Sequence, residues 1–470
     1  MFTSTEFCLT APPFENLVQE PTKSFKDWVD FFLDEQISKK TKIDSAEQYL
    51  NQLIQHIDLD SMSWLDQPEH AATHFLEEHH KICGIFQDYL SRRKQGGQRE
   101  YFATVSHAFE FLYRVAPTKM VDGSWLYSTL EHADQPALKD LIHIYLEELG
   151  LGHPQANHVT MYQDLLNNYE LTAYSEQLDD RYYEQAAVQL ALAYAPAEYL
   201  PLVIGFNLGY EQLPLHLLIT NYELAELGIN PHYFNVHITI DNAHNGHAQK
   251  SLQAFLDLYR STEHPERYLE MVKQGYLLND VGKSSTQIVR ELDLDAQVLK
   301  LFQQKALIGQ YIHNQKCQFS GKTINEWLSQ PEQIQDFLQV MMDKGWIQRG
   351  LSVEQSRFWK LIDDPDGKMF GVFNATEKQI IRDWIQGPEL ARRLSSHQLR
   401  TQTPIISRQE QHKLEELRLH LKRCDNNEEK LEILTPYVAP HCHYQQLGLW
   451  ATQQVSKILF PFQTQAVQFS

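Results

Sequence analysis

Apolar residues recur at three- and four-residue spacing along most of this chain, and that period leaves room for little but helices. The pattern is plain in A-E-Q-Y-L-N-Q-L-I-Q-H-I (46–57), S-H-A-F-E-F-L-Y-R-V (106–115) and A-L-K-D-L-I-H-I-Y-L-E-E-L (137–149). It returns in Q-A-A-V-Q-L-A-L-A-Y (185–194) and A-Q-K-S-L-Q-A-F-L-D-L-Y (248–259). Breaks fall where Gly and Pro stand: Gly96-Gly97, Ala116-Pro117, Gly150 to Pro154, Pro196, and Gly228 to Pro231. A chain of 470 residues exceeds one ordinary core. The polar, basic stretch 91–100 reads as a linker, and the composition shifts again near residue 316. Downstream, aromatic-rich runs on either side of Asp364-Pro365-Asp366-Gly367 read as a β-hairpin over 356–373, after which Thr376 is the expected cap of a new helix. The expected fold class is all-α: a helical N-terminal region (1–95), a central bundle (100–315), and a mostly helical C-terminal region with that hairpin (316–470).

The net charge of -20 argues against a surface that neutralises nucleic-acid phosphates or docks on an anionic membrane. No apolar run reaches the roughly 18 residues a membrane span needs. The opening M-F-T-S-T-E-F-C-L-T has no basic region followed by an apolar stretch, unlike a secretory signal. Five scattered cysteines without a C-x-x-C pair fit a reduced compartment. The expectation is a soluble, cytoplasmic protein acting on a small molecule, with neither nucleic acid nor membrane as partner. His441-Cys442-His443 has ligand chemistry, but adjacent side chains diverge on any regular element.

Three stretches concentrate groups that bind cations. In H-I-T-I-D-N-A-H-N-G-H-A, His237, Asp241, His244 and His247 follow one another at spacings of four, three and three, about one helical turn each. They read equally as a solvated face, as buried hydrogen-bonded imidazoles, or as half of a metal site; the β-branched I-T-I between them favours a packed helix. In L-E-E-L-G-L-G-H-P-Q-A-N-H (146–158), Glu148 precedes and His158 follows two glycines and a proline. These either cap one helix and start another or unwind it so that both side chains serve one site. Glu147 is one register off and is expected to face elsewhere. Glu211 stands alone in the apolar run L-V-I-G-F-N-L-G-Y-E-Q-L-P-L-H-L-L, with no Lys or Arg nearby. A buried carboxylate must be paired, neutral or bound to a cation. Three carboxylates and three imidazoles carried inward on helices suit iron or manganese in a bundle.

In order and spacing, Y-L-E-E-L-G-L-G-H-P-Q-A-N-H, G-Y-E-Q-L-P and H-I-T-I-D-N-A-H-N-G-H-A resemble the haem-oxygenase-like diiron oxidases and oxygenases, the iron-containing redox enzymes. The resemblance spans roughly residues 100 to 315. It implies a haem-oxygenase-like helical bundle and two iron ions held by Glu148, His158, Glu211, His237, Asp241 and His244. It further implies O2 as co-substrate, an amino-acid- or fatty-acid-like metabolite as substrate, and an external electron donor as a candidate partner. Some members add a carboxylate from the preceding helix, for which Asp122 and Glu110 are the candidates; Asp122 reads equally as a helix N-cap. His247 has no counterpart and reads as a residue orienting a ligand or as surface. The flanking regions are candidates to cover the bundle or to form a homodimer. The alternatives are a haem-binding member of the same fold and a non-catalytic helical scaffold.

Overall fold

The structure, a computed structural model, describes residues 23–171, 178–240, 246–313, 316–391, 393–394 and 407–461. Nine helices concern the site: α1 (Val105–Arg114), α2 (Lys139–Glu148), α3 (His158–Asn168), α4 (Glu184–Ala193), α5 (Leu200–Tyr210), α6 (Leu215–Leu227), α7 (His232–Ile240), α8 (His247–Ser261) and α9 (Pro265–Leu277). Their environments follow their sequences. Helix α5 is apolar all round, carries Pro201 in its first turn where no amide hydrogen is required, and is buried on every side. Helix α8 keeps an apolar stripe of Ala248, Leu252 and Phe255 inward.

Buried side chains form three cores. The first joins Val29, Phe32, Tyr49 and Leu50 to the inner faces of α2, α4, α5, α8 and α9, and is completed by Leu434, Val438, Ala451 and Val455 near the end of the described chain. The second is built by α1, α3, α6 and α7. The third gathers residues between Val298 and Ile385. Tyr145, Leu146 and Leu149 beside Glu148 belong to the first core, whereas Met161 and Tyr162 beside His158, and Tyr233 and Phe234 beside His237, belong to the second. The acidic and imidazole side chains therefore lie along the seam between the two.

The expected hairpin at 356–373 is not a hairpin. Residues Arg357–Asp363 form a helix, because Phe358, Trp359 and Ile362 share one face and bury together in the third core. Asp364 to Gly367 do turn, with the Gly367 amide 2.8 Å from the Asp364 carbonyl, but the chain that follows leaves Phe370 exposed and pairs with nothing as a strand. The sheet among the described residues is instead Gln318–Phe319 against Lys322–Thr323. Thr376 is not the cap of the helix Ala375–Gln386 either: Asn374 accepts the Glu377 amide, while the Thr376 hydroxyl donates to the Tyr169 carbonyl. At the end of the stretch read as a linker (91–100) and just past it, the amides of Glu100, Tyr101 and Phe102 donate to buried Glu223 at 2.6 to 3.0 Å, tying it to α6.

Candidate metal centre

Glu148 and His158 meet because the chain doubles back between them. Helix α2 ends at Glu148; Gly150, Leu151 and Gly152 take positive φ; Leu149 and Asn157 then pair across the bend, and Asn157 caps α3 through the Thr160 amide. A Cβ on Gly150 would lie 2.3 Å from the Asn157 nitrogen, so the bend closes only around glycine. The result is a Glu148 Oε2 to His158 Nδ1 separation of 2.5 Å. One helix is thus capped and another started, and the tight reversal between them still brings both side chains to one site.

Four buried groups gather here: Asp122, Glu148, His158 and His237 each offer a ligand atom, all within 4.8 Å of one another. His237 Nε2 is 3.0 Å and His158 Nδ1 3.7 Å from Asp122 Oδ2. Asp122 is held by two further groups, one of them backed by a lysine. The Tyr233 hydroxyl donates to Oδ2, the Tyr210 hydroxyl donates to Oδ1 at 3.1 Å, and Lys119 Nζ donates to the Tyr210 hydroxyl at 3.3 Å. Asp122 makes no capping bond; the next helical turn starts from Gly123. Burial opposes its charge, but Lys119 and the two imidazoles outweigh that and hold the carboxyl well below the usual range.

A second buried group is Glu148, Glu211 and His247, again within 4.8 Å. His247 Nδ1 is 3.2 Å from Glu211 Oε2 and 3.4 Å from Glu148 Oε1. Glu148 belongs to both groups, one oxygen turned to each. Glu211 stands just past the end of α5 rather than inside a long helix.

The hydrogen bonds of two imidazoles favour a cation here. His237 Nδ1 lies 2.8 Å from the Tyr233 carbonyl, which only accepts, so Nδ1 carries a proton. A neutral ring then turns a bare Nε2 toward a carboxylate oxygen, and a proton or metal ion must lie between them. His247 repeats the arrangement: Nε2 faces Glu147 Oε2 at 3.2 Å, leaving Nδ1 for Glu211 and Glu148. Two buried polar atoms of the cluster, His158 Nδ1 and Glu211 Oε1, make no well-formed hydrogen bond. Burial disfavours charge on His158, yet Glu148 and Asp122 push it up to about 10; burial likewise opposes charge on His247, and Glu211 and Glu147 raise it well above its ordinary value. The carboxylates thus demand positive charge at the imidazoles, and mixed O and N donors of this kind suit iron. The residues fit a metal.

Of the residues singled out in the sequence, Glu148, His158, Glu211 and His237 are brought together with Asp122; Asp241 and His244 lie outside the described residues. Glu110 is not in the cluster. It pairs with Arg114 and receives the Gln297 amide; burial, against the pull of Arg114, pushes its carboxyl up to about 7. His247, set apart in the sequence, joins Glu148 and Glu211. The resemblance offered no counterpart for it; α8 starts at His247, after Gly246 in extended backbone, and carries the imidazole to the two carboxylates. Glu147, expected to face elsewhere, instead lies against the cluster, with Oε2 3.2 Å from His247 Nε2. His443 is buried near Asn157, whose side-chain nitrogen donates to His443 Nδ1 at 3.0 Å.

Helical bundles build metal sites from carboxylates and imidazoles on facing helices, and this buried cluster has that composition. Residues 109–280, about a third of the chain, match the family model described as iron-containing redox enzyme, and the all-α architecture is consistent with the haem-oxygenase-like fold of that family. The match supports an iron-containing oxidoreductase. No curated protein and no solved structure matches the chain. Among the described residues no single helix is long and apolar enough to cross a membrane.

Proposed function

We propose that the protein is a non-haem diiron oxidase or oxygenase that uses O2 on a small amino-acid- or fatty-acid-like metabolite. The observation that carries this reading is Glu148, shared by two buried ligand groups. One iron would be held by Asp122, Glu148, His158 and His237. The other would be held by Glu148, Glu211 and His247, with Asp241 and His244 as the further ligands the resemblance implies. Two ferrous ions, when bound, supply together the electrons that reduce O2. The chain's own residues do the rest. Tyr210 and Tyr233 fix the orientation of Asp122, the Tyr233 carbonyl fixes the tautomer of His237, and the two hydrophobic cores keep bulk water from the seam. A haem reading fits less well, because His158, His237 and His247 each face carboxylates rather than the apolar slot a porphyrin needs.

The test is anaerobic loading with Fe(II) followed by metal analysis and oxygen uptake. Two irons per chain and O2 consumption are expected, with both reduced in Glu148→Ala. A protein that binds no transition metal under these conditions overturns the reading.

A further inference from the structure

The geometry points to Glu147 as a positioning residue that fixes the His247 imidazole with Nδ1 toward the metal; this rests on the diiron reading above. Glu147 and Glu148 are consecutive on the last turn of α2, so their side chains leave the helix about 100° apart. Glu148 enters the cluster. Glu147 passes round the outside of His247, and its Oε2 lies 3.2 Å from His247 Nε2, 2.5 Å from Lys250 Nζ and 3.1 Å from His143 Nδ1.

The proton assignments follow from what each group can do. The Lys250 ammonium only donates, so it donates to Glu147 and, at 2.9 Å, to His143 Nδ1. His143 therefore carries its own proton on Nε2 and does not compete for the Glu147 carboxylate. That carboxylate is left to accept the Nε2 proton of His247, and the ring must then present Nδ1 to Glu211 and Glu148. A carboxylate behind a ligand imidazole sets its tautomer, its orientation and its basicity.

The four residues form a clasp between two helices, each contributing a pair about one turn apart: His143 and Glu147 on α2, His247 and Lys250 on α8. His247 is 3% exposed at its side chain and Glu147 31%. A surface ion pair between Glu147 and Lys250 would by itself contribute little to stability. What distinguishes this one is that a buried ring hangs from it. Among the described residues the clasp meets the cluster through His247, whereas His158 faces Glu148 and Asp122, and His237 faces the Tyr233 carbonyl and Asp122.

The experiment is a Fe(II) titration of the full chain under anaerobic conditions, with the melting midpoint of each metal-free protein measured alongside. The wild type is expected to bind two equivalents. Glu147→Ala should weaken one of them about 10- to 100-fold and leave the other unchanged. Glu147→Gln keeps a carbonyl acceptor for His247 and should recover most of the loss. Lys250→Met, which frees Glu147 from behind, should fall between the two. Glu147→Ala with both equivalents at wild-type affinity overturns the inference alone. A parallel loss of both equivalents with a lowered metal-free midpoint also overturns it, in favour of a plain packing role. A wild type that binds fewer than two equivalents overturns the diiron reading, and this inference with it.

Discussion

Gly150→Ala tests whether the reversal between Glu148 and His158 builds the site. Alanine in the left-handed region, where Gly150 sits at φ 64°, costs about 1–2 kcal/mol. Its Cβ would also lie 2.3 Å from the Asn157 nitrogen and 2.4 Å from the Ala156 carbonyl carbon. Those are backbone atoms across the Leu149–Asn157 pairing and cannot swing aside as a side chain would, so overpacking adds about 1–3 kcal/mol. The sum is about 2–5 kcal/mol, relieved only by parting the two arms that carry Glu148 and His158. Gly96→Ala is the matched control. Gly96 is also left-handed, at φ 86°, but its added Cβ meets no atom within 4 Å, so only the strain of about 1–2 kcal/mol applies. Denaturant unfolding of the two metal-free variants gives the difference, and anaerobic Fe(II) titration shows whether it reaches the site. Gly150→Ala should be the less stable by about 1–3 kcal/mol and should lose Fe(II) affinity, while Gly96→Ala binds as the wild type does. Equal stabilities, or full metal binding by Gly150→Ala, would refute the reasoning.

Two further outcomes follow from the same contacts. Asp122→Ala should remove one Fe(II) equivalent, whereas Glu110→Ala should keep both and lower stability by about 1–3 kcal/mol by leaving the Arg114 guanidinium without its carboxylate, measured by metal analysis and denaturation. Burial pushes His443 down to about 3 from an ordinary 6.5, so between those values protons bind the unfolded chain and not the native one; stability held above pH 6.5 is lost as pH falls toward 3. At pH 5 the loss from this group is about 2 kcal/mol, and His443→Gln should flatten that part of the acid limb in stability measured against pH.

What was legible in the sequence was whatever leaves a local mark. Glu211 stood out because a carboxylate among Leu, Ile and Phe has no local partner, and Glu148 with His158 because glycines signal a backbone that must bend. Asp122 left no such mark. A cap and a buried ligand look alike in sequence, and what buries Asp122 is Tyr210 and Tyr233, about ninety and one hundred and ten residues away. His247 was set aside because the resemblance offers it no counterpart, and only the packing of α8 against α2 and the end of α5 shows it beside Glu148 and Glu211. The hairpin reading failed for a related reason: aromatic residues flanking a turn suggest strands, but Phe358, Trp359 and Ile362 also fit one helical face, and the third core selects the helix.

The pairing of Glu211 with His247 separates function from stability. Both lie buried at a seam between apolar cores, and taking two charged groups out of water costs more than good packing would. Glu211→Leu alone takes from His247 its Glu211 partner while Glu148 and Glu147 stay, and breaking a buried pair of this kind costs about 3–5 kcal/mol. Replacing both at once, Glu211→Leu with His247→Leu, removes the desolvation cost with the interaction. The metal-free double variant should then be as stable as the wild type or up to about 4 kcal/mol more stable, with Glu147 still held by Lys250. It should bind one Fe(II) rather than two. A double-mutant cycle in denaturant, with metal analysis on each corner, measures both. If the double variant is as destabilised as the sum of the singles, the pair holds the fold together, and its acidic and imidazole groups need no metal to account for them.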